Sequence, residues 1–264
     1  MNSFFKSDIK NQTLAMLFIR HFLPLTPLVL ILEIAVVAAL HSHGSIHFTN
    51  STVIAGLSHG CKHTVKYETN PFISFPMCVG HNEQDLKNGM SIISLIKSRG
   101  FLPSCRVLQL MLWMHAETIE TGTLPKDFFV DIGANIGSCS VAIASLGFPT
   151  IAVEPVQQHV DAIRGSIDLN PPFNIEVQHV GISSETKLIR ANFAHGGRNW
   201  GSTIFEEAAA SEKAESELQL RTTSQIVGSR KVSLLKIDCE GCEWAALKRY
   251  RCCLFIVPTS ILSL

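Results

Sequence analysis

Phe128 to Ser140 reads FFVDIGANIGSCS: an acid, Asp131, closes an apolar run, and Gly133 and Gly137 follow with Asn135 between them. Glycine at 133 lets backbone approach a ligand closely. Asn135 is a residue type that holds a turn through its own side chain and tolerates a left-handed conformation. A second acid, Glu154, comes 23 residues after Asp131, at the end of the next apolar run, TIAVEP. That is where an acidic residue takes ribose hydroxyls in a two-strand nucleoside site. The dinucleotide fingerprint G-x-G-x-x-G is poorly matched, because Ser138 fills the place of its last glycine. S-adenosylmethionine carries no phosphate; it carries a sulfonium, an ammonium head and an adenosine, and Asp131 suits the ammonium head directly or through water. Taken by itself, the loop reads equally well as a structural turn between a strand and a helix.

A third group of polar residues closes the apolar run in LLKIDCEGCEW, Leu234 to Trp244. Asp238 or Glu240 there could orient a substrate hydroxyl and take its proton as the oxygen attacks a methyl group. Transfer from a sulfonium mainly needs in-line alignment and a dry pocket, which makes positioning a rival to any base. The alternative is a strand-to-helix turn in which Glu240 and Glu243 cap the helix N-terminus. Cys239 and Cys242 form C-x-x-C. Zinc would need two more ligands at matching spacing, and none is evident. A redox pair of the thioredoxin type would open a helix just after the first strand. These cysteines are read as packing in the turn.

The elements that must carry these residues follow from the hydrophobic pattern. DFFVDIG is a buried strand, apolar on both faces as in a parallel sheet. SCSVAIASLG reads as a short helix ending at Gly147, and PTIAVEP as a second strand. The helix after it has Val156, Val160, Ile163 and Ile167 on one stripe and stops at Asn170-Pro171-Pro172. FNIEVQHVGI is a third strand and VSLLKIDCEG a fourth. Strand and helix in alternation is the doubly wound α/β pattern, with ligands beyond the carboxyl ends of the strands. Between the third and fourth strands, NFAHGGRNWGSTIF reads as a substrate-side loop with Arg198 and Trp200 as candidate contacts, and FEEAAASEKAESELQ as an exposed charged helix or a solvated loop.

VDIGANIG, AVEP, Asn170 and LLKIDCEGCEW, in this order and at these spacings, together resemble the FkbM family of S-adenosylmethionine-dependent methyltransferases. The resemblance covers about residues 100 to 247. It implies a Rossmann-like methyltransferase sheet and S-adenosyl-L-methionine as cofactor, held at Asp131, Gly133, Asn135, Gly137 and Glu154. It also implies O-methylation of a small hydroxylated or sugar-type acceptor, a small molecule or glycan, with Asp238 facing the methyl-transfer site. A sheet of this kind ends in an antiparallel pair. After EGCEWAALKRY only one more strand, CLFIV or TSILSL, fits, so the domain (101–264) is expected to be truncated at its C-terminus, with the fourth strand near a raw edge. The alternative function is a non-catalytic, membrane-tethered Rossmann-like fragment.

The remaining features bound that reading. Lys+Arg and Asp+Glu are each 22 of 264 residues, so no basic surplus points to nucleic acid. The histidines His41, His43, His47, His59 and His63 show no recurring ligand spacing, and no metal is expected. Residues 22–40 are nineteen residues with one charge, Glu33. At ~1.5 Å per residue such a helix spans about one hydrocarbon core. Lys6, Lys10 and Arg20 precede it, and no Lys or Arg follows until Lys62, which orients the N-terminus to the cytosol. The expected organisation is a cytosolic tail (1–21), a transmembrane signal anchor (22–40), a stem with N-terminal helices (41–100) and the methyltransferase domain in the lumen of the secretory pathway, ER or Golgi. A cleaved signal peptide is the rival, with Val37-Ala38-Ala39 as cleavage site. Asn50-Ser51-Thr52 is then a usable glycosylation sequon. Of Cys61, Cys78 and Cys105, some could pair in a lumen, in a pattern that sequence leaves open.

Overall fold

The structure, a computed structural model, describes residues 60–70, 73–81, 90–115, 127–195, 203–207, 216–248 and 256–258. In chain order the elements are β1 (His63–Asn70), β2 (Ile73–Gly80), α1 (Met90–Arg99), α2 (Pro103–His115), β3 (Phe128–Ile132), α3 (Ser138–Ala144), β4 (Thr150–Val153), α4 (Gln157–Leu169), β5 (Ile175–Gln178), β6 (Gly181–Ile182), β7 (Lys187–His195), β8 (Thr203–Glu207), β9 (Ser216–Arg221), α5 (Thr223–Val227), β10 (Val232–Ile237), α6 (Glu243–Leu247) and β11 (Ile256–Pro258). The apolar run 22–40, the sequon at Asn50, and Arg198 and Trp200 lie outside the described residues. Among those described, no helix is long and apolar enough to cross a membrane.

The centre is a five-stranded sheet, order β11-β10-β3-β4-β5, with every neighbouring pair parallel. A parallel sheet is covered on both faces, so its strands are apolar on both sides, and β4 is buried at all four positions. Parity divides the side chains. Val130, Ile132, Leu235 and Ile237 join a core with α5 and α6 on one face. Phe129 and Leu234 join the core of α2, α3 and the two-stranded β1-β2 sheet on the other. Asp131 and Lys236, one residue from their apolar neighbours, share that second face and stand opposite each other in the β3–β10 register.

α1 and α2 bury Ile93, Ile96, Leu108 and Leu112, and Gly100 ends α1 at φ +79°. α4 buries Val160 and Ile163 of its stripe. Residues 63–80, expected within a stem, instead pair as two strands whose Tyr67, Phe75, Met77 and Val79 join the domain core. β2 docks on α4: Ser166 Oγ accepts from Cys78 N at 2.9 Å and Asn170 Nδ2 donates to Pro76 O at 2.9 Å.

Two further expectations are corrected. The predicted third strand divides into β5 in the parallel sheet and β6 in a second, four-stranded sheet of order β6-β9-β7-β8. The stretch read as a loop followed by a charged helix or solvated segment supplies the end of β7, all of β8 and most of β9 of that sheet; residues 196–202 and 208–215 lie outside the described residues. Leu218 and Leu220 alternate with exposed Glu217 and Gln219 and pack on Ile189 and Ala191. That period of two is a half-buried strand whatever the charge content. β11 overlaps the end of the predicted CLFIV strand and flanks β10, which lies inside the sheet rather than at its edge.

Candidate active site

The glycine loop leaves β3 with three left-handed residues, Gly133 (φ +73°), Asn135 (φ +52°) and Gly137 (φ +84°). Gly133 N and Ala134 N both donate to Val153 O, at 3.0 and 3.1 Å, which folds the loop back over β4. Glycine at 133 is a steric requirement: a Cβ there would stand 1.9 Å from Asp238 O. Gly137 precedes α3 and abuts Ile163, whose Cγ1 would be 2.7 Å from an added Cβ. Asn135 Oδ1 accepts from Ile136 N at 2.8 Å, a local bond of the kind that lets Asn hold a left-handed turn.

Glu154 sits at the end of β4 with little exposure, 4%. Its Oε2 accepts from Asn135 N at 2.8 Å; its Oε1 accepts from Val156 N at 3.0 Å and lies 3.0 Å from His159 Nδ1. One carboxylate thus ties the glycine loop to the start of α4. An ionised carboxylate offers about four acceptor positions, so Oε2 keeps capacity for a further hydroxyl donor.

Asp131 is placed differently from a residue that meets a ligand. It is fully buried, its Oδ2 accepts from Ser140 Oγ at 2.7 Å and its Oδ1 from Lys236 Nζ at 2.8 Å. Lys236 also donates to Gly133 O at 3.0 Å and lies 3.9 Å from Asp238 Oδ2. Burial works against the Lys236 charge, yet the carboxylates of Asp131, Asp238 and Glu154 outweigh it and hold the ammonium pKa above its ordinary value. Lys236, Ser140 and His159 were missed as site residues. Lys236 carries its own signal: the one charge in a mostly apolar, buried strand needs a buried partner.

The turn after β10 brings Asp238 and Glu240 to the same place. Asp238 N donates to Ile132 O at 2.9 Å, anchoring the turn to β3. Glu240 is exposed at φ +51°; burial of its carboxyl and the charges of Asp238 and Glu243 raise its pKa. Glu243 caps the turn, accepting from Gly241 N at 2.9 Å and from Cys239 N at 3.3 Å. Cys239 and Cys242 form a disulfide, so their role is covalent rather than packing alone. Two other disulfides, Cys61–Cys78 and Cys105–Cys139, fasten the start of β1 to β2 and α2 to α3.

These parts surround one cleft of about 490 Å³, its open mouth included, beyond the carboxyl ends of β3, β4 and β10. Gly133, Asn135, Glu154, Asp238 and Glu240 line it; Gly137 and Asp131 are not among its lining residues. Three carboxylates face the cleft and no Lys or Arg is among the described residues that line it. No curated protein matches the chain. Residues 131–257, from Asp131 in β3 to Val257 in β11, match the family model of the methyltransferase FkbM domain.

Proposed function

We propose that the cleft binds S-adenosyl-L-methionine and that the protein methylates a hydroxyl of a small or sugar-type acceptor. The acidic lining carries the reading: Glu154, Asp238 and Glu240, with no Lys or Arg among the described lining residues, suit a cofactor bearing a sulfonium and an ammonium group and oppose a pyrophosphate. The donor set fits. Glu154 Oε2 has an acceptor position for a ribose hydroxyl, Gly133 and Asn135 supply the loop floor, and the half-exposed Asp238 carboxylate faces the cleft to take an ammonium or an acceptor hydroxyl. When bound, the cofactor supplies the activated methyl group. The chain's own work is to hold the acceptor oxygen in line and receive its proton, and Glu240 is equipped for the latter because its pKa stands above that of an ordinary carboxylate. Calorimetry on the full chain in detergent tests this. S-adenosylhomocysteine should bind more tightly than NAD, and Glu154→Ala should weaken it by ~1–3 kcal/mol through loss of a charge-assisted bond. Equal or tighter binding of NAD would sink the methyltransferase reading.

The same proposal places the domain on the lumenal side of a single-pass anchor at 22–40. Three disulfides support an oxidising compartment, in line with the basic residues ahead of the apolar run. Microsomal protease protection with a tag at each end reads the orientation: digestion of a C-terminal tag in intact vesicles refutes it.

A further inference from the structure

We propose that the Cys239–Cys242 disulfide is an exchange site for a dithiol reductant, and that its redox state sets the shape of the cleft. The consequence for catalysis rests on the methyltransferase reading; the exchange chemistry does not. The three disulfides differ in setting. Cys61–Cys78 and Cys105–Cys139 join segments 17 and 34 residues apart; Cys78, Cys105 and Cys139 are almost wholly enclosed, at 0, 0 and 4% exposure, and Cys61 is half-buried away from the cleft. Cys239–Cys242 spans three residues, and both cysteines line the cleft, with Cys239 the more open of the two.

The loop it closes holds Glu240 at φ +51° and Gly241 at φ +117°. A non-glycine residue at positive φ persists only where its surroundings enforce it. Here the enforcing contacts are the disulfide and the two hydrogen bonds to Glu243. The turn also rests directly on the cofactor loop: Asp238 O and Cys239 Cα occupy the space beside Gly133, 1.9 and 3.1 Å from where its Cβ would be. A change in the turn is therefore felt at Gly133 and at two of the three carboxylates that line the cleft.

A reductant thiolate attacks Cys239 Sγ, the S–S bond breaks, and Cys242 leaves as a thiolate that takes up a proton. The second thiol of the reductant then displaces Cys239, which is protonated in turn. The reductant ends as a disulfide, having given two electrons and two protons to the pair. Without the cross-link, Glu240 relaxes from its left-handed conformation and its carboxylate leaves the cleft.

The test is a redox titration of the full chain in detergent with reduced and oxidised dithiothreitol. Each cysteine is followed by alkylation and peptide mass mapping, and S-adenosylhomocysteine affinity is measured at each step. Cys239–Cys242 should open while the other two disulfides stay closed. Affinity should then fall by roughly tenfold, within the usual range of coupling between sites, and recover on reoxidation. The Cys239→Ser/Cys242→Ser variant should be fixed at the low affinity and indifferent to reductant. Opening of the pair only together with the other two overturns the exchange site. Selective opening with unchanged affinity overturns the control of the cleft. Failure of the oxidised chain to bind S-adenosylhomocysteine at all overturns both the proposed cofactor and the control of the cleft, while the order of opening still decides the exchange site.

Discussion

Removing the ammonium of Lys236 should damage the fold more than removing both members of its ion pair. Asp131 is fully buried, with Lys236 Nζ at 2.8 Å from one oxygen and Ser140 Oγ at 2.7 Å from the other. Lys236→Met leaves that carboxylate with a single hydroxyl partner and no countercharge, a loss of about 3–5 kcal/mol for a broken buried pair. The bond to Gly133 O disappears too, for about 1 kcal/mol more. Against a typical domain stability of about 5–15 kcal/mol, this is a large fraction. Asp131→Asn alone strands the ammonium, though Gly133 O still accepts from it and Asp238 lies 3.9 Å away. The double variant strands no charge: the amide introduced by Asp131→Asn is neutral, and its oxygen can still accept from Ser140. It should therefore be more stable than Lys236→Met alone, with a coupling of about 2–3 kcal/mol across the cycle. Urea unfolding at neutral pH followed by tryptophan fluorescence gives the four midpoints, and equal slopes license the comparison. Single variants that each cost under about 1 kcal/mol, or costs that simply add, would refute the buried pair as the link between β3 and β10.

Gly133→Ala meets Asp238 O at 1.9 Å at a φ of +73°, whereas Gly228→Ala, at φ +61°, meets nothing within 4 Å. Both carry a conformational cost of about 1–3 kcal/mol, and the collision adds about 1–3 more at 133 alone. Thermal unfolding should rank them so, and only Gly133→Ala should weaken S-adenosylhomocysteine binding. The reverse rank would refute the steric argument. Stability should fall in alkali. The raised pKa of Lys236 favours the protonated form in the fold, as burial does for the Tyr67 hydroxyl. Both contributions are complete below the unfolded values near ~10 and are lost as pH rises through the folded ones. Midpoints measured from pH 8 upward should show the decline, with a shallower slope in Lys236→Met; an unchanged slope in that variant would refute the assignment.

What could be read from residues alone follows from how local each signal is. β3, β4 and β10 were legible because strands buried on both faces are unbroken apolar runs, and the left-handed residues of the loop were legible because Gly and Asn mark positive φ. The role of Asp131 was not, because its place at a strand end says nothing of which face it takes. Parity with Phe129 turns it toward Ser140, and its partner Lys236 lies 105 residues away. The second sheet was obscured by the charges flanking Leu218 and Leu220, which drew attention to composition rather than alternation. The disulfide pairing is a property of the assembled layers: Cys105 meets Cys139 only because α2 crosses α3.

The adjacency of β3 and β10 also sets a timetable. Neighbours in the sheet, their paired residues Asp131 and Lys236 are separated by 105 positions that include β4, β5 and the whole second sheet. At ~5–20 residues per second of synthesis, Asp131 waits roughly 5–20 s for its partner to be made. Through that interval one side of β3 is an open strand edge, the kind of surface that invites mispairing. A nascent chain halted between Val153 and Val232 already contains α2, α3 and β4, yet it has no wall opposite Gly133. The cleft is thus completed only once β10 and the turn after it have been made.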